Sequence, residues 1–178
     1  MKNGAKSIIV LTVICLVISG LLAAVNHVTS PIIQKAEEEA TNKACKEVMQ
    51  DASAFEKVST DGKNLPASVK EIYKETTGKG FVFKIAGKGY DQGLMVICGI
   101  DADGKISGTS ILSSNETPSI GGKCNSPSFL DQYTGKDSSL EGINGISGAT
   151  LTSNGFKNAV KDAFEAFKAL STDKGGNE

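Results

Sequence analysis

The sequence predicts an α+β protein: a single amino-terminal transmembrane helix carrying a domain with an antiparallel sheet and flanking helices. Three observations predict it. Ser7 to Val25 holds no charged residue and is rich in Ile, Leu and Val, long enough for a helix to cross a hydrocarbon core. Gly80 to Leu112 reads as successive strands separated by turn signals. Phe156, Val160, Ala163, Phe164, Phe167 and Leu170 recur at the three-to-four spacing of one apolar helix face.

The chain has 178 residues and a formal net charge of −1, which suits one domain with appendages. It has no basic patch with interleaved aromatics, so no nucleic acid partner is expected. Lys2 and Lys6 precede the apolar run, and residues 26–34 hold no Lys or Arg. The positive-inside rule then puts the amino terminus in the cytoplasm and everything after Asn26 on the extracytoplasmic side of the cell membrane. The run is longer than the apolar region of a cleaved signal, and Ala23-Ala24-Val25 is a poor cleavage site. It reads as an uncleaved anchor in the lipid bilayer. Cys15 lies inside it. Cys45, Cys98 and Cys124 lie beyond it, too few to pair completely, and no C-x-x-C spacing points to zinc or an iron–sulfur cluster. Free thiols are expected.

Ser30-Pro31 reads as an N-cap followed by proline at the first helical position, so a helix is expected from about Pro31 to Gln50, either separate from the anchor or continuous in direction with it. Residues 51–68, with Asp61-Gly62 and Pro66, read as a loop with room for one short strand. A strand is expected around Ile72 and Tyr73, and another over Phe81 to Ala86, ended by Gly87-Lys88-Gly89. Leu94 to Ile100 is almost wholly apolar, as in a strand buried on both faces. Asp101-Ala102-Asp103-Gly104 is a turn, and Lys105 to Leu112 alternates as its antiparallel partner. Ser113 to Tyr133 is irregular, with a short helix around Phe129 to Tyr133. A loop of that length in a compact domain is often functional. The last helix is expected from Ser153 to about Leu170, capped by Thr152 or Ser153. Four regions result: an anchor over 1–27, a juxtamembrane helix and loop over 28–68, the main domain over 69–172, and a frayed tail over 173–178.

Two stretches carry chemistry. Asn144-Gly145-Ile146-Ser147-Gly148-Ala149-Thr150-Leu151-Thr152-Ser153 has small residues, four hydroxyls and a helix start directly after it. Free N–H groups and the positive end of a helix dipole suit a phosphate there. The residues alone fit equally well a glycine-rich turn that merely opens a helix. Asn115-Glu116-Thr117-Pro118-Ser119-Ile120-Gly121 is a proline-stiffened turn with polar groups beside an apolar edge. By itself it reads as an ordinary loop with a surface glutamate. The only histidine, His27, sits at the membrane boundary, which excludes a Ser/His/Asp or Cys/His set. Asp101 and Asp103 lack the twelve-residue calcium pattern. No Rossmann fingerprint or P-loop occurs, so no direct NAD or ATP site and no metal site is expected.

The Ser147-Gly148-Ala149-Thr150 run resembles the flavinylation site of the FMN-binding domain family. In that family an Asp-x-x-Ser/Thr-Gly-Ala-Thr pattern carries FMN joined through its phosphate to the last threonine. Here the pattern runs from Asn144 to Thr150, with Asn144 in the place of Asp. Glu116-Thr117-Pro118-Ser119-Ile120-Gly121 is similar to the family's Glu-Thr-Pro-Gly-Leu-Gly, and Lys88 to Gly93 to its Gly-Tyr-Gly-Gly-like segment. The hairpin Val96 to Ile106 lies between them. Within the family the likeness is to the branch formed by the G subunits of Rnf ion-translocating electron-transport complexes. The C subunits of the sodium-translocating NADH:quinone reductases form the sister branch.

The resemblance implies an extracytoplasmic FMN-binding domain with covalent FMN on Thr150. Ser147, Gly148, Ala149, Leu151 and Thr152 would hold the phosphate end. Glu116, Thr117, Ile120, Gly121 and Lys123 would lie near the ring or ribityl chain. It implies an electron-carrying redox subunit that works among the other subunits of the Rnf complex and is matured by a flavin transferase. The competing readings are a C subunit of a sodium-translocating NADH:quinone reductase, a stand-alone extracytoplasmic flavoprotein, and an anchored interaction module without redox work.

Overall fold

The structure is a computed structural model, and it describes residues 2–60 and 64–173. The expected Asp61-Gly62 turn and most of the expected tail lie outside the described residues. The chain divides into two units, Met1–Ala40 and Thr41–Glu178.

The first unit is helical. Helix α1 spans Lys2–Val48 and contains Pro31 in its interior. Its apolar side chains have no protein cover: Ile8 and Leu16 are each 68% exposed. The helix is long and apolar enough to cross a membrane. The expected fresh start at Ser30-Pro31 is corrected: the helix runs through. Proline removes one donor, so the orphan is the His27 carbonyl four residues back. Thr29, just beside it, donates its hydroxyl to the Val25 carbonyl at 3.0 Å. The helix continues on both sides of Pro31.

The second unit is a five-stranded antiparallel meander, order β1-β2-β3-β4-β5. The strands are β1 (Phe55–Val58), β2 (Val69–Glu75), β3 (Gly80–Gly87), β4 (Leu94–Asp101) and β5 (Ile106–Ser113). Then follow a 3-10 turn (Gly121–Asn125), the one-turn helix α2 (Pro127–Leu130) and α3 (Thr150–Asp173). The sheet is covered on both faces, as the apolar β4 run requires. Leu94, Val96, Cys98 and Ile100 point into the larger core with Phe156, Val160 and Ala163 of α3. Ile97 points the other way, into a smaller core with Val82, Tyr73, Cys45, Val48 and Met49. Packing therefore begins at the last turns of α1, well before residue 69. The Ser107 hydroxyl donates to the Val48 carbonyl at 2.7 Å, closing off the helix end against the sheet. All four cysteines are free, and Cys45, Cys98 and Cys124 are buried. Burial pushes the Cys45 and Cys98 thiols up to about 12, so neither is a nucleophile at neutral pH.

The β2–β3 turn is built around a buried carboxylate. Glu75 accepts the Ser53 N–H at 3.2 Å, the Thr77 N–H and hydroxyl at 2.7 Å each, and the Lys79 N–H at 3.1 Å. Burial alone would raise its pKa, but these bonds outweigh it and hold the group at about 2. Glu71 behaves alike, with burial overcome by Lys57, Tyr73 and Lys84, and also sits near 2. Both folded-state values lie below the unfolded value of about 4.3. Their stabilisation is therefore complete above that value and is lost as pH falls towards 2. Thermal melting of the full chain in detergent should fall steeply from pH 5 to pH 3. Glu75→Gln should melt lower at pH 7 and lose less over that range. An unchanged slope in the variant would contradict the assignment.

Candidate functional site

The loop entering α3 is folded by few bonds. The Ala149 N–H donates to the Ile146 carbonyl at 3.0 Å, closing a turn through Ser147 and Gly148. Gly148 sits at φ +81°, a conformation that costs a side-chain-bearing residue about 1–2 kcal/mol. The Ala149 carbonyl then accepts the Ser153 N–H at 2.9 Å, the first bond of the helix. The expected cap is thereby corrected: α3 starts at Thr150, and Thr152 and Ser153 lie inside its first turn, both buried. The N–H groups of Thr150, Leu151 and Thr152 have no carbonyl four residues back within the helix. They form an anion-suited helix start. Thr150 and Leu151 are exposed.

The facing wall comes from the segment after β5. The Thr117 carbonyl accepts the N–H groups of Ile120 and Gly122 at 2.9 and 3.0 Å, a tight turn over Pro118. Glu116 is buried. Its Oε1 accepts the backbone N–H of Tyr90 at 2.8 Å and of Asp91 at 3.2 Å. It thus ties the β3–β4 loop to the segment after β5. A side chain at Gly121 would collide with the Glu116 carboxylate and the Thr152 hydroxyl, so the two walls can close only around glycine.

These pieces enclose a cleft of about 450 Å³ lined by Tyr90, Glu116, Thr117, Ile120, Gly121, Gly148, Ala149, Thr150, Leu151 and Thr152. All the site residues expected from sequence line it except Ser147, in the adjoining turn, and Lys123, an exposed residue of the 3-10 turn. Tyr90 was missed, although it belongs to the glycine-flanked segment Lys88 to Gly93. It is 81% exposed, Leu151 61% and Ile120 51%. Among the described residues of the second unit these are the exposed large hydrophobics, and all three lie on this cleft. An apolar rim, hydrogen-bonding groups on one wall and a helix start at the other fit an amphipathic cofactor with a flat ring and a phosphate. Behind the cleft lies Cys124, whose thiol is pushed up by burial; a bond to Ser153 opposes the shift and the nearby Glu116 adds to it.

An α+β domain with this cleft at the start of its last helix is the build of an FMN-binding domain, and residues 89–165 match the FMN-binding domain family. Over most of its length the chain is also similar to named subunits of ion-translocating oxidoreductase complexes. It is 30% identical, over 87% of its length and 86% of the relative's, to the G subunit of the proton-translocating ferredoxin:NAD(+) oxidoreductase complex of Clostridium ljungdahlii. It is 31% identical, over 92% and 91%, to the G subunit of the Na(+)-translocating ferredoxin:NAD(+) oxidoreductase complex of Acetobacterium woodii. The likeness to the C subunit of the Na(+)-translocating NADH-quinone reductase of Vibrio alginolyticus, 31% identical, covers 42% of this chain and 37% of that one. The chain belongs to the family of G subunits of ion-translocating ferredoxin:NAD(+) oxidoreductase (Rnf) complexes.

Proposed function

We propose that this chain is the electron-carrying FMN subunit of an ion-translocating ferredoxin:NAD oxidoreductase complex, with FMN joined by a phosphodiester to Thr150. One observation carries the attachment site: the Thr150 hydroxyl is on an exposed residue of the cleft, whereas Thr152 is 2% exposed. The cofactor supplies one- or two-electron chemistry when bound. The chain's own groups bind and orient. Backbone N–H groups of Thr150, Leu151 and Thr152 would hold the phosphate, beside the small residues Ser147, Gly148 and Ala149. Tyr90, Ile120 and Leu151 would offer apolar contact to the ring. Thr117 and Gly121 would lie near the ring or ribityl chain, with Lys123 at the cleft's edge only if its exposed side chain reaches in, and Glu116 fixes the loop that presents Tyr90.

Lys2 and Lys6 support an amino terminus in the cytoplasm and a flavin domain on the extracytoplasmic side. The functional division we propose is an anchor over 1–27, a connector over 28–68, the FMN-binding domain over 69–172 and a tail over 173–178. The partners are the lipid bilayer, the other Rnf subunits, and a flavin transferase during maturation. Covalent attachment has a physical rationale there, because outside the cell a dissociated cofactor is lost by dilution. Expression of the full chain with a flavin transferase tests the reading. Intact mass spectrometry should show one FMN phosphodiester increment, and the purified protein should be yellow. A colourless chain of unshifted mass would leave an anchored interaction module as the better description.

A further inference from the structure

The acceptor loop is held from behind by two side chains that belong to neither sequence motif's cofactor-facing set. Gln132, just after α2, accepts the Asn144 N–H on Oε1 at 2.9 Å and donates through Nε2 to the Asn144 carbonyl at 3.4 Å. The same Nε2 donates to the Ser128 carbonyl at 3.2 Å, which fixes the amide's own orientation. Ser153 reaches back from the first turn of α3, and its Oγ accepts the Ile146 N–H at 3.0 Å. Cys124 Sγ lies 3.6 Å from that Oγ, and both residues are buried. Three elements therefore meet at one serine hydroxyl: the 3-10 turn, α3 and the loop.

Between the clamps the loop is held by one turn, from the Ala149 N–H to the Ile146 carbonyl at 3.0 Å. Gly145, Ser147 and Gly148 are exposed, and the two glycines restrict the backbone less than other residues would. Without Gln132 and Ser153 this stretch would sample many conformations, and only some would present Thr150. We infer that Gln132 and Ser153 are positioning residues for flavin transfer, holding the Asn144–Gly148 loop in its acceptor conformation before the transferase arrives. This rests on Thr150 being the attachment residue. Forming a phosphodiester requires an activated phosphoryl donor, here flavin adenine dinucleotide. The bond from Thr150 Oγ to the flavin-side phosphorus forms as the pyrophosphate P–O bond breaks. AMP leaves with the electron pair, and the hydroxyl proton passes to solvent. No oxidation or reduction is involved.

The test uses the full chain in detergent, a flavin transferase and flavin adenine dinucleotide, with Gln132→Met and Ser153→Ala as variants. A loop ordered only after binding lowers the competent fraction, so the apparent affinity of the transferase for its protein substrate falls. Ser153→Ala should lose up to about tenfold in kcat/KM, the upper size for one net hydrogen bond, and Gln132→Met, which removes two bonds to Asn144, at least as much. The loss should lie in KM, with kcat near wild type. Amide exchange in the unmodified protein should show Ile146 deprotected in Ser153→Ala, with the later amides of α3 unchanged. Rates equal to wild type, or a loss confined to kcat, would overturn the inference. If Ser153→Ala fails to fold, Gln132→Met, at a half-buried side chain, decides alone. Failure of wild-type chain to accept flavin would instead sink the Thr150 reading, so the two outcomes are distinct.

Discussion

Thr150→Ala should accept no covalent flavin at all. The substitution removes the oxygen that the phosphodiester requires, and no neighbouring hydroxyl can replace it without refolding the loop. Ser153 is turned inward onto Ile146, and Thr152 is buried against the Gly121 wall. Ser147 is exposed but lies outside the cleft. Thr150 makes no side-chain hydrogen bond among those of the described residues, so its loss should leave melting within the small range typical of surface changes, about 0.5 kcal/mol. Thr150→Ser should still be modified, because the hydroxyl remains. Thr152→Ala should be modified too, at a cost in cleft packing. Intact mass and in-gel flavin fluorescence read all three. Modification that survives Thr150→Ala and disappears in Thr152→Ala would move the site by two residues and require the first turn of α3 to open.

Gly155→Ala should destabilise the protein by about 3 kcal/mol, at the upper end for overpacking. Helix propensity argues the opposite sign, since alanine is favoured over glycine in a helix interior by about 1 kcal/mol. Packing decides. A Cβ at Gly155 would collide with the Lys88 carbonyl oxygen and lie 2.6 Å from its carbon and 3.0 Å from the Gly89 nitrogen. These are backbone atoms just past the end of β3, so no rotamer change relieves the contact. Either α3 or the loop after β3 must move. That loop carries Tyr90, held by Glu116, so the same change should loosen the cleft rim. Thermal melting of the full chain in detergent gives the stability. A neutral or stabilising result would mean that α3 does not pack on the loop at this distance.

The parts of the fold that could be read from sequence are those whose signal lies within one segment. The β4 run shows two covered faces because it is almost wholly apolar from Leu94 to Ile100, and α3 shows its buried stripe through the phenylalanine spacing. The parts that could not be read depend on partners distant in the chain. Pro31 has the spacing of a first-turn residue, and only the long helix on both sides overrides that preference. The hydroxyls of Thr152 and Ser153 look like caps, yet Ser153 is engaged by Ile146, seven residues back. Glu116 looks like a surface group or a ring ligand, but its carboxylate serves Tyr90 and Asp91 across two strands. Gln132 carries no motif at all, and only the folded loop shows that its amide matches the Asn144 backbone. Glu75 is similar: a charged residue at a strand end becomes the buried centre of a turn only once Ser53 arrives from another strand's approach. Motif likeness located the cleft, and tertiary contacts define how it is held.

Peptide mapping of this protein, purified from membranes within its native complex, tests the central claim most directly. The account predicts a single FMN phosphodiester on the peptide that contains Thr150. A free Thr150 hydroxyl in a complex that still transfers electrons would contradict it.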